Sequence, residues 1–434
     1  MWTKLLFLCS LALSLRAQED PRDLLAMVRG RLEDTIKRLP RYICTQTIER
    51  TQYGPAPLLV GHAQGCGELV GRDAQSRPPL SFSDRLRLDV AVANTGEIYS
   101  WAGEDRFDNR GLLDLVKSGA VSTGGFASFL TSIFTGNAAS FSYDGETNAN
   151  GRTLAEFGFR VPFENSNYVF GNRRAHVTTA YDGTFLVDAK TFDLVRLTVR
   201  TGQLPAEVGA CEATTTLDYS PVRLNDADFL LPKEVQLKIV NVDGSDSENR
   251  TTYASCHQFV GESTVTFGEP PSKQALPAAG GTVSQTLAIP PDLPFKLVFT
   301  QPIDTAVAAA GDRITAKITK AIRGASSQVL VPEGTVVTAR IVKIQHYYGP
   351  PSSLKIGVKL ETLSMGGSPR PFAASLTSFT PRFQKNPGLL SRRVELGSLD
   401  TMDDRTVGQF EFREVKPNYV VSSGLESTWV TVAP

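Results

Sequence analysis

This sequence has little histidine and no net charge. Only four histidines occur in 434 residues, His62, His176, His257 and His346, far apart and without H-x-x-x-H spacing. That spacing excludes a helix-borne zinc motif, though the fold can still bring one of them into a site. Lys plus Arg and Asp plus Glu both number 45, so no basic excess marks a nucleic-acid or anionic-membrane partner. The nucleophile elbow G-x-S-x-G is absent. "GAVSTGGF" (119–126) has the glycines of a phosphate loop but not its Gly-Lys-Ser/Thr ending. Capping of a following helix by Ser122 or Thr123, and a hinge, account for it better. "NVDGSDSEN" (241–249) does not follow the calcium-loop spacing and reads as a tight hairpin. Asp226 and Asp228 in "LNDADFLLP" form an i, i+2 carboxylate pair that turn chemistry explains. No catalytic residue, cofactor or metal is expected.

Long apolar runs are also missing, with one exception. "MWTKLLFLCSLALSLRAQED" carries Lys4, an apolar stretch from Leu5 to Leu15 and a small residue, Ala17. This is the pattern of an export signal, too short to span a bilayer comfortably, with cleavage expected after Ala17. Cys9 lies inside that run. The other four cysteines, Cys44, Cys66, Cys211 and Cys256, suit two disulfides in an oxidising compartment. Their spacings do not fit a zinc site. Three pairings are open, and proximity in sequence favours Cys44–Cys66 with Cys211–Cys256.

What is present is β-periodicity. "PRDLLAMVRGRLEDTIKRLP" predicts one helix, from Pro21 to the break at Pro40, with Leu24, Leu25, Val28, Leu32, Ile36 and Leu39 on one stripe. "RYICTQTIERTQYG" starts a strand that Gly54-Pro55 ends. In "DRLRLDVAV", Leu86, Leu88, Val90 and Val92 alternate with Arg85, Arg87 and Asp89, giving one buried and one wet face. Between 111 and 135 the period changes. "GLLDLVKSG" predicts a short helix, and Phe126, Phe129, Leu130, Ile133 and Phe134 follow a helical stripe. From 140 to 267 strands return, separated by turn pairs such as Asp144-Gly145 and Asp243-Gly244. In "YDGTFLVDAKTFDLVRLTVR" (181–200), Val195, Leu197 and Val199 alternate with Arg196, Thr198 and Arg200. The charges are therefore expected on the wet face, with Asp188 and Thr191 bracketing a turn. Asn249-Arg250-Thr251 is a glycosylation sequon by pattern.

That same hairpin, with "TTTLDYSPVRLNDADFLLPKEVQLKI", resembles the LolA-like half-barrel superfamily over about residues 22–267. The superfamily includes lipoprotein carriers and envelope-stress sensor domains. The resemblance implies a curved sheet wrapped on a helix, with an apolar concavity for acyl chains, and it carries over no catalytic residue. "LPRYICTQTIER" is similar to the start of a group of exported bacterial proteins, which implies no function. "AGDRITAKITKAIRGASSQVLVPEGTVVTARIV" resembles the β domain of TrbI-type conjugation proteins, with Pro332-Glu333-Gly334-Thr335 as a turn. The resemblance lacks that family's membrane-crossing segment.

The chain is thus expected to be mainly β with a few helices. Residues 1–17 read as a signal peptide and 18–267 as a curved antiparallel half-barrel wrapped on helices. Residues 268–292 read as a Pro/Gly-rich linker, and 293–434 as a small β-barrel or sandwich. The function expected is a non-catalytic protein of the periplasm or outer envelope that binds a lipid, a lipoprotein acyl chain or another hydrophobic ligand. Its C-terminal domain would dock an envelope partner; after cleavage it would not be an integral membrane protein. The candidate pocket comprises Phe126, Phe129, Leu130, Ile133 and Phe134 with Leu86, Leu88, Val90, Val195 and Leu197. The alternatives are a structural, adaptor or sensor protein without a small ligand, and a hydrolase assembled from Asp226, Asp228, His176 and His257.

Overall fold

The computed structural model describes residues 20–54, 65–93, 96–104, 107, 111–116, 118–126, 128–149, 151–172, 174–259, 289–380 and 404–433. The signal segment 1–17, His62 and most of the stretch 268–292 lie outside them.

Helix α1 (Pro21–Arg38) starts at the proline. The Asp20 side chain accepts the Arg22 N–H at 2.9 Å, and Leu24, Val28 and Leu32 are buried on the inward stripe. Strand β1 (Tyr42–Tyr53) follows, then the short helix α2 (Cys66–Val70) and the hairpin of β2 (Leu80–Ala93) and β3 (Gly96–Trp101). Two short helices come next, α3 (Leu112–Leu115) and α4 (Ser128–Phe134), then β4 (Ser140–Ala149) and β5 (Arg152–Val161). A small hairpin of β6 (Val169–Gly171) and β7 (His176–Thr178) leads to β8 (Tyr181–Asp188) and β9 (Leu194–Thr201). The long strands β10 (Ala210–Leu224), β11 (Ala227–Asn241) and β12 (Asp246–Gln258) complete this part.

These strands lie in the order β3-β2-β1-β12-β11-β10-β9-β8-β5-β4, every neighbour antiparallel. The sheet wraps one apolar face around α1 and α4; among the described residues no strand pairs with the outer edge of β3 or of β4, while the start of β2 beside β3 is covered by a strand of the second part. Asp144-Gly145 is not a turn. Asp144 is the extra residue of a bulge inside β4, beside Gly145 at φ 124°, and the chain reverses between 149 and 152.

Because β12 returns to pair with β1, the pairing that proximity favoured is overturned. The ladder sets Cys44 against Cys256, with Cα atoms 4.1 Å apart and a bulge between Ile43 and Thr45. Helix α2 packs on β10 and joins Cys66 to Cys211 at 5.3 Å. Both bridges fit an exported protein.

The second part holds β13 (Pro294–Phe299), β14 (Ile303–Asp304), β15 (Arg313–Lys320), β16 (Ile322–Arg323), β17 (Val329–Val331) and β18 (Val336–Tyr347). It continues with β19 (Ser353–Met365), β20 (Ser368–Pro371), β21 (Ala374–Thr380), β22 (Val407–Arg413), β23 (Val420–Val421) and β24 (Glu426–Thr431). The main sheet runs β21-β24-β13-β15-β18-β19, with β20 and β22 both along β19. Pro332 carbonyl accepts the Thr335 hydroxyl at 2.8 Å, and Gly334 takes φ 84°, so the Pro-Glu-Gly-Thr turn forms as expected. The expected barrel is not closed. No ladder joins β21 to β22 among the described residues; rings fill the seam, with Phe379 4.9 Å from Phe410 and 5.7 Å from Phe412.

The two parts share a ladder. Gln345, His346 and Tyr347 of β18 pair with Asp84, Ser83 and Phe82 of β2. Ala310 exchanges backbone bonds with Arg85 and Arg87, and a Cβ at Gly311 would collide with the Arg87 carbonyl. Arg340 is 2% exposed; it pairs with Glu361 at 2.6 Å and donates to the carbonyls of Ala102 and Gly311. A buried guanidinium needs such full pairing.

Candidate functional site

The candidate pocket residues do not share one space. Leu130, Ile133 and Phe134 are buried on α4, Phe129 is half-buried beside them, and Leu197 joins the same cluster under α1. Leu86, Leu88 and Val90 form a second cluster with Phe126. Phe126 does not lie on α4; it precedes the helix and turns toward Tyr42 and Tyr253. In the hairpin, a bulge after Leu186 sends Leu194 inward, fully buried, and leaves Val195 half-buried. The interior against α4 is dense with rings: Phe185 lies 5.0 Å from Phe134 and stacks on Phe157 at 5.1 Å. Helix α1 is tied to α4 through Arg29, which donates to the Phe134 and Gly136 carbonyls at 3.1 and 2.5 Å. To the sheet it adds an exposed Arg31–Asp193 pair at 3.3 Å.

The charges Asp182, Arg196 and Arg200 of the 181–200 hairpin lie on the wet face, whereas Asp188, at the turn, is buried. Arg200 pairs with Asp182 at 2.8 Å and Arg196 with Asp218 at 2.6 Å, while Asp188 accepts the N–H groups of Lys190 and Thr191. This face is hollowed. One hollow of about 600 Å³ runs over Arg160, Asp182, Thr184, Thr198 and Arg200, and another of about 480 Å³ runs over Thr216, Gln236 and Arg250. Glu212 and Thr214 border both. Alternation alone reads these residues as an ordinary solvated face, so the sequence gives no sign of the hollows.

The glycine-rich segment 118–126 is a strap laid on the inner face of the sheet. Arg50, salt-bridged to Asp84 and buried with it, donates to the Ser118 carbonyl at 2.6 Å. Gly119, at φ 80°, packs against that guanidinium, where a Cβ would come within 2.7 Å of it. Asn249 donates to the Ala120 carbonyl at 2.8 Å. Its side chain is 6% exposed, so the sequon is turned into the protein. At the far end Glu97, half-buried on β3, accepts the Gly124 N–H at 2.7 Å, the Phe126 N–H at 3.1 Å and the Tyr99 hydroxyl. The phosphate-loop character of this segment thus has a physical basis: its N–H groups cradle an anion, and the anion is Glu97.

Around Glu97 stand Tyr42 and Tyr99, both buried, and Tyr253, half-buried. The Phe126 ring sits edge-on 5.6 Å from Tyr42 and 4.7 Å from Tyr253, and Gly125 lies under the Tyr253 hydroxyl. Among the described residues the hydroxyls of Tyr42 and Tyr219 are buried with no hydrogen-bond partner. Burial pushes the Tyr42, Tyr99 and Tyr253 hydroxyls well above the usual phenol range, and the charge of Glu97 adds to the rise. They stay protonated. Glu97 was missed in the sequence, although "EIYSW" shows a charged residue in the inward register of Tyr99.

The residues of the hydrolase alternative make no mutual bond. Asp228 pairs with Arg223 at 3.4 Å and the His257 ring meets its own Ser255 carbonyl. No hydrogen bond or ion pair links Asp226, Asp228, His176 and His257 to one another among the described residues. Among those residues no group of three or more His, Cys, Asp or Glu could hold a metal ion, and no helix is long and apolar enough to cross a membrane.

No known family and no curated protein matches the chain. Three solved structures are similar to part of it. A domain from Vibrio parahaemolyticus described as an outer membrane lipoprotein-sorting protein is 11% identical, covering 53% of this chain and 90% of its own, at a TM-score of 0.26. A DUF1329 family protein from Desulfovibrio piger is 9% identical, covering 56% and 95%, at 0.26. A LolA superfamily protein from Nitrosomonas europaea is 10% identical, covering 55% and 94%, at 0.26. At these scores the likeness carries no argument of its own, and the half-barrel stands on strand order and register.

Proposed function

We propose that this chain is a non-catalytic, exported envelope protein that takes up an apolar chain between the α1–α4 pair and the aromatic face of its half-barrel. Residues 293–434 would serve as the docking domain for an envelope partner. One observation carries the reading. A sheet face rich in rings, among them Phe157, Phe159, Tyr181 and Phe185, is covered by two helices that are bonded to each other and reach the sheet mainly through apolar contact. Such contact is non-directional, so an acyl chain can replace most of it; the hydrogen bond between Ser132 of α4 and the Tyr181 hydroxyl would have to be satisfied anew. The test is extraction and mass spectrometry of lipid from the purified protein, with melting in the presence of fatty acids. Co-purified lipid or a rise in Tm of several degrees is expected; absence of both overturns the reading.

A second reading, a structural or adaptor protein, has its own support. Phe134, Phe157 and Phe185 are at most 1% exposed, so the interior is filled by the protein's own side chains.

A further inference from the structure

The strap offers more than a cover. A carboxylate on an open edge strand accepts three donors, two of them from a glycine-rich segment, and an aromatic ring from the same segment is inserted among tyrosines. Whatever displaces the strap must satisfy Glu97, because a desolvated carboxylate without partners is costly. It must also replace the Phe126 ring, which is 3% exposed. An anion is repelled by Glu97. A neutral alcohol brings at most one donor. A cationic ammonium group satisfies both demands: it neutralises the carboxylate and is attracted to the faces of surrounding tyrosine rings. The unpartnered, fully buried Tyr42 hydroxyl marks this space as one whose polar capacity the strap does not use up. Glu97 is half-buried, so part of the residue reaches the protein surface.

We propose that Glu97, Tyr42, Tyr99 and Tyr253 form a binding site for an ammonium-bearing amphiphile, and that Gly124–Phe126 occupies it in the free protein as a built-in stand-in. The proposal rests on the reading above for the apolar tail and adds the chemistry of the head; Tyr253 packs against both the α1–α4 cluster and the Phe126 cluster and so links the two.

Calorimetric titration with decylammonium, decanol and decanoate, each below its micellar concentration, tests it on the full chain, on E97Q and on F126A. The unmodified protein should bind the ammonium compound at least tenfold more tightly than decanol. E97Q should lose that preference, and F126A, with the stand-in's ring removed, should bind the ammonium compound more tightly still. If F126A does not fold, the comparison with E97Q decides. Equal binding of the three chains, unchanged in E97Q, or a preference for decanoate, overturns this proposal and leaves the apolar-uptake reading standing. No binding of any chain overturns both.

Discussion

The two disulfides are nested, and nesting has a thermodynamic signature. The bridge Cys66–Cys211 spans 145 residues and lies inside Cys44–Cys256, which spans 212. A cross-link stabilises by shortening the conformational reach of the unfolded chain, in proportion to the logarithm of the loop it closes. With the inner bridge intact, the outer one closes only the 22 residues from Cys44 to Cys66 and the 45 from Cys211 to Cys256, about 67 in all. Replacing Cys44 and Cys256 by alanine should then cost about 4 kcal/mol on loop entropy. In a chain already lacking the inner bridge the same replacement releases the full 212-residue loop and should cost about 5 kcal/mol. Packing lost at Cys44, which is fully buried, enters both legs and cancels in the cycle. The assay is urea unfolding of the four proteins without reductant, with peptide mapping of the bridges. A coupling of about 1 kcal/mol, with the outer bridge worth more when the inner is absent, is the outcome expected. Peptides linking Cys44 to Cys66, or a coupling of the opposite sign, would refute the β1–β12 register that places Cys44 against Cys256.

Two further outcomes follow from the interior charges. D84N keeps the shape of its site but strips the partner from Arg50, whose side chain is 5% exposed, and should destabilise by about 3–5 kcal/mol; R50M/D84L, which removes both charges, should cost much less by the same urea assay. His346 is 8% exposed at the β2–β18 ladder, and burial followed by the charge of Arg85 holds its imidazole below the ordinary value. The unfolded chain takes up that proton near pH 6.5 and the folded chain only below it, so stability should be full above about pH 6.5 and fall as the pH drops through the folded value. Melting of the H346Q variant between pH 7.5 and 5.5 should show a shallower loss; an identical slope would remove His346 as the cause.

Periodicity in the sequence carries the helix from Pro21, the strands β1 and β2, and the wet face of the β8–β9 hairpin, because each is decided by residues within one element. What it does not carry is non-local. The partner of Cys44 depends on a strand more than 200 residues away. The β2–β18 ladder joins two parts that composition alone divides by a linker. Phe126 keeps the spacing of α4 while lying outside it, since three- and four-residue intervals do not stop where a helix begins. Val195 loses its inward place to a single bulged position. Glu97 was legible only as a misfit, a charge in an inward register.

That misfit changes how the glycine-rich loop is understood. Two glycines with a run of free N–H groups make an anion-binding surface whatever the source of the anion. In a nucleotide-binding protein the anion arrives with the ligand. Here it is fixed on β3, so the logic is reversed: the sheet provides the negative charge, and the segment 118–126 provides the donors and the ring. A loop held in this way is bound by the interactions that a ligand would use, and its removal leaves a site defined by charge as well as by apolar surface. The half-barrel alone has no means to choose among apolar chains, because burial of hydrocarbon depends on area and not on identity. A carboxylate ringed by tyrosines does discriminate, and the cost of leaving it unpaired would set the selectivity of the fold.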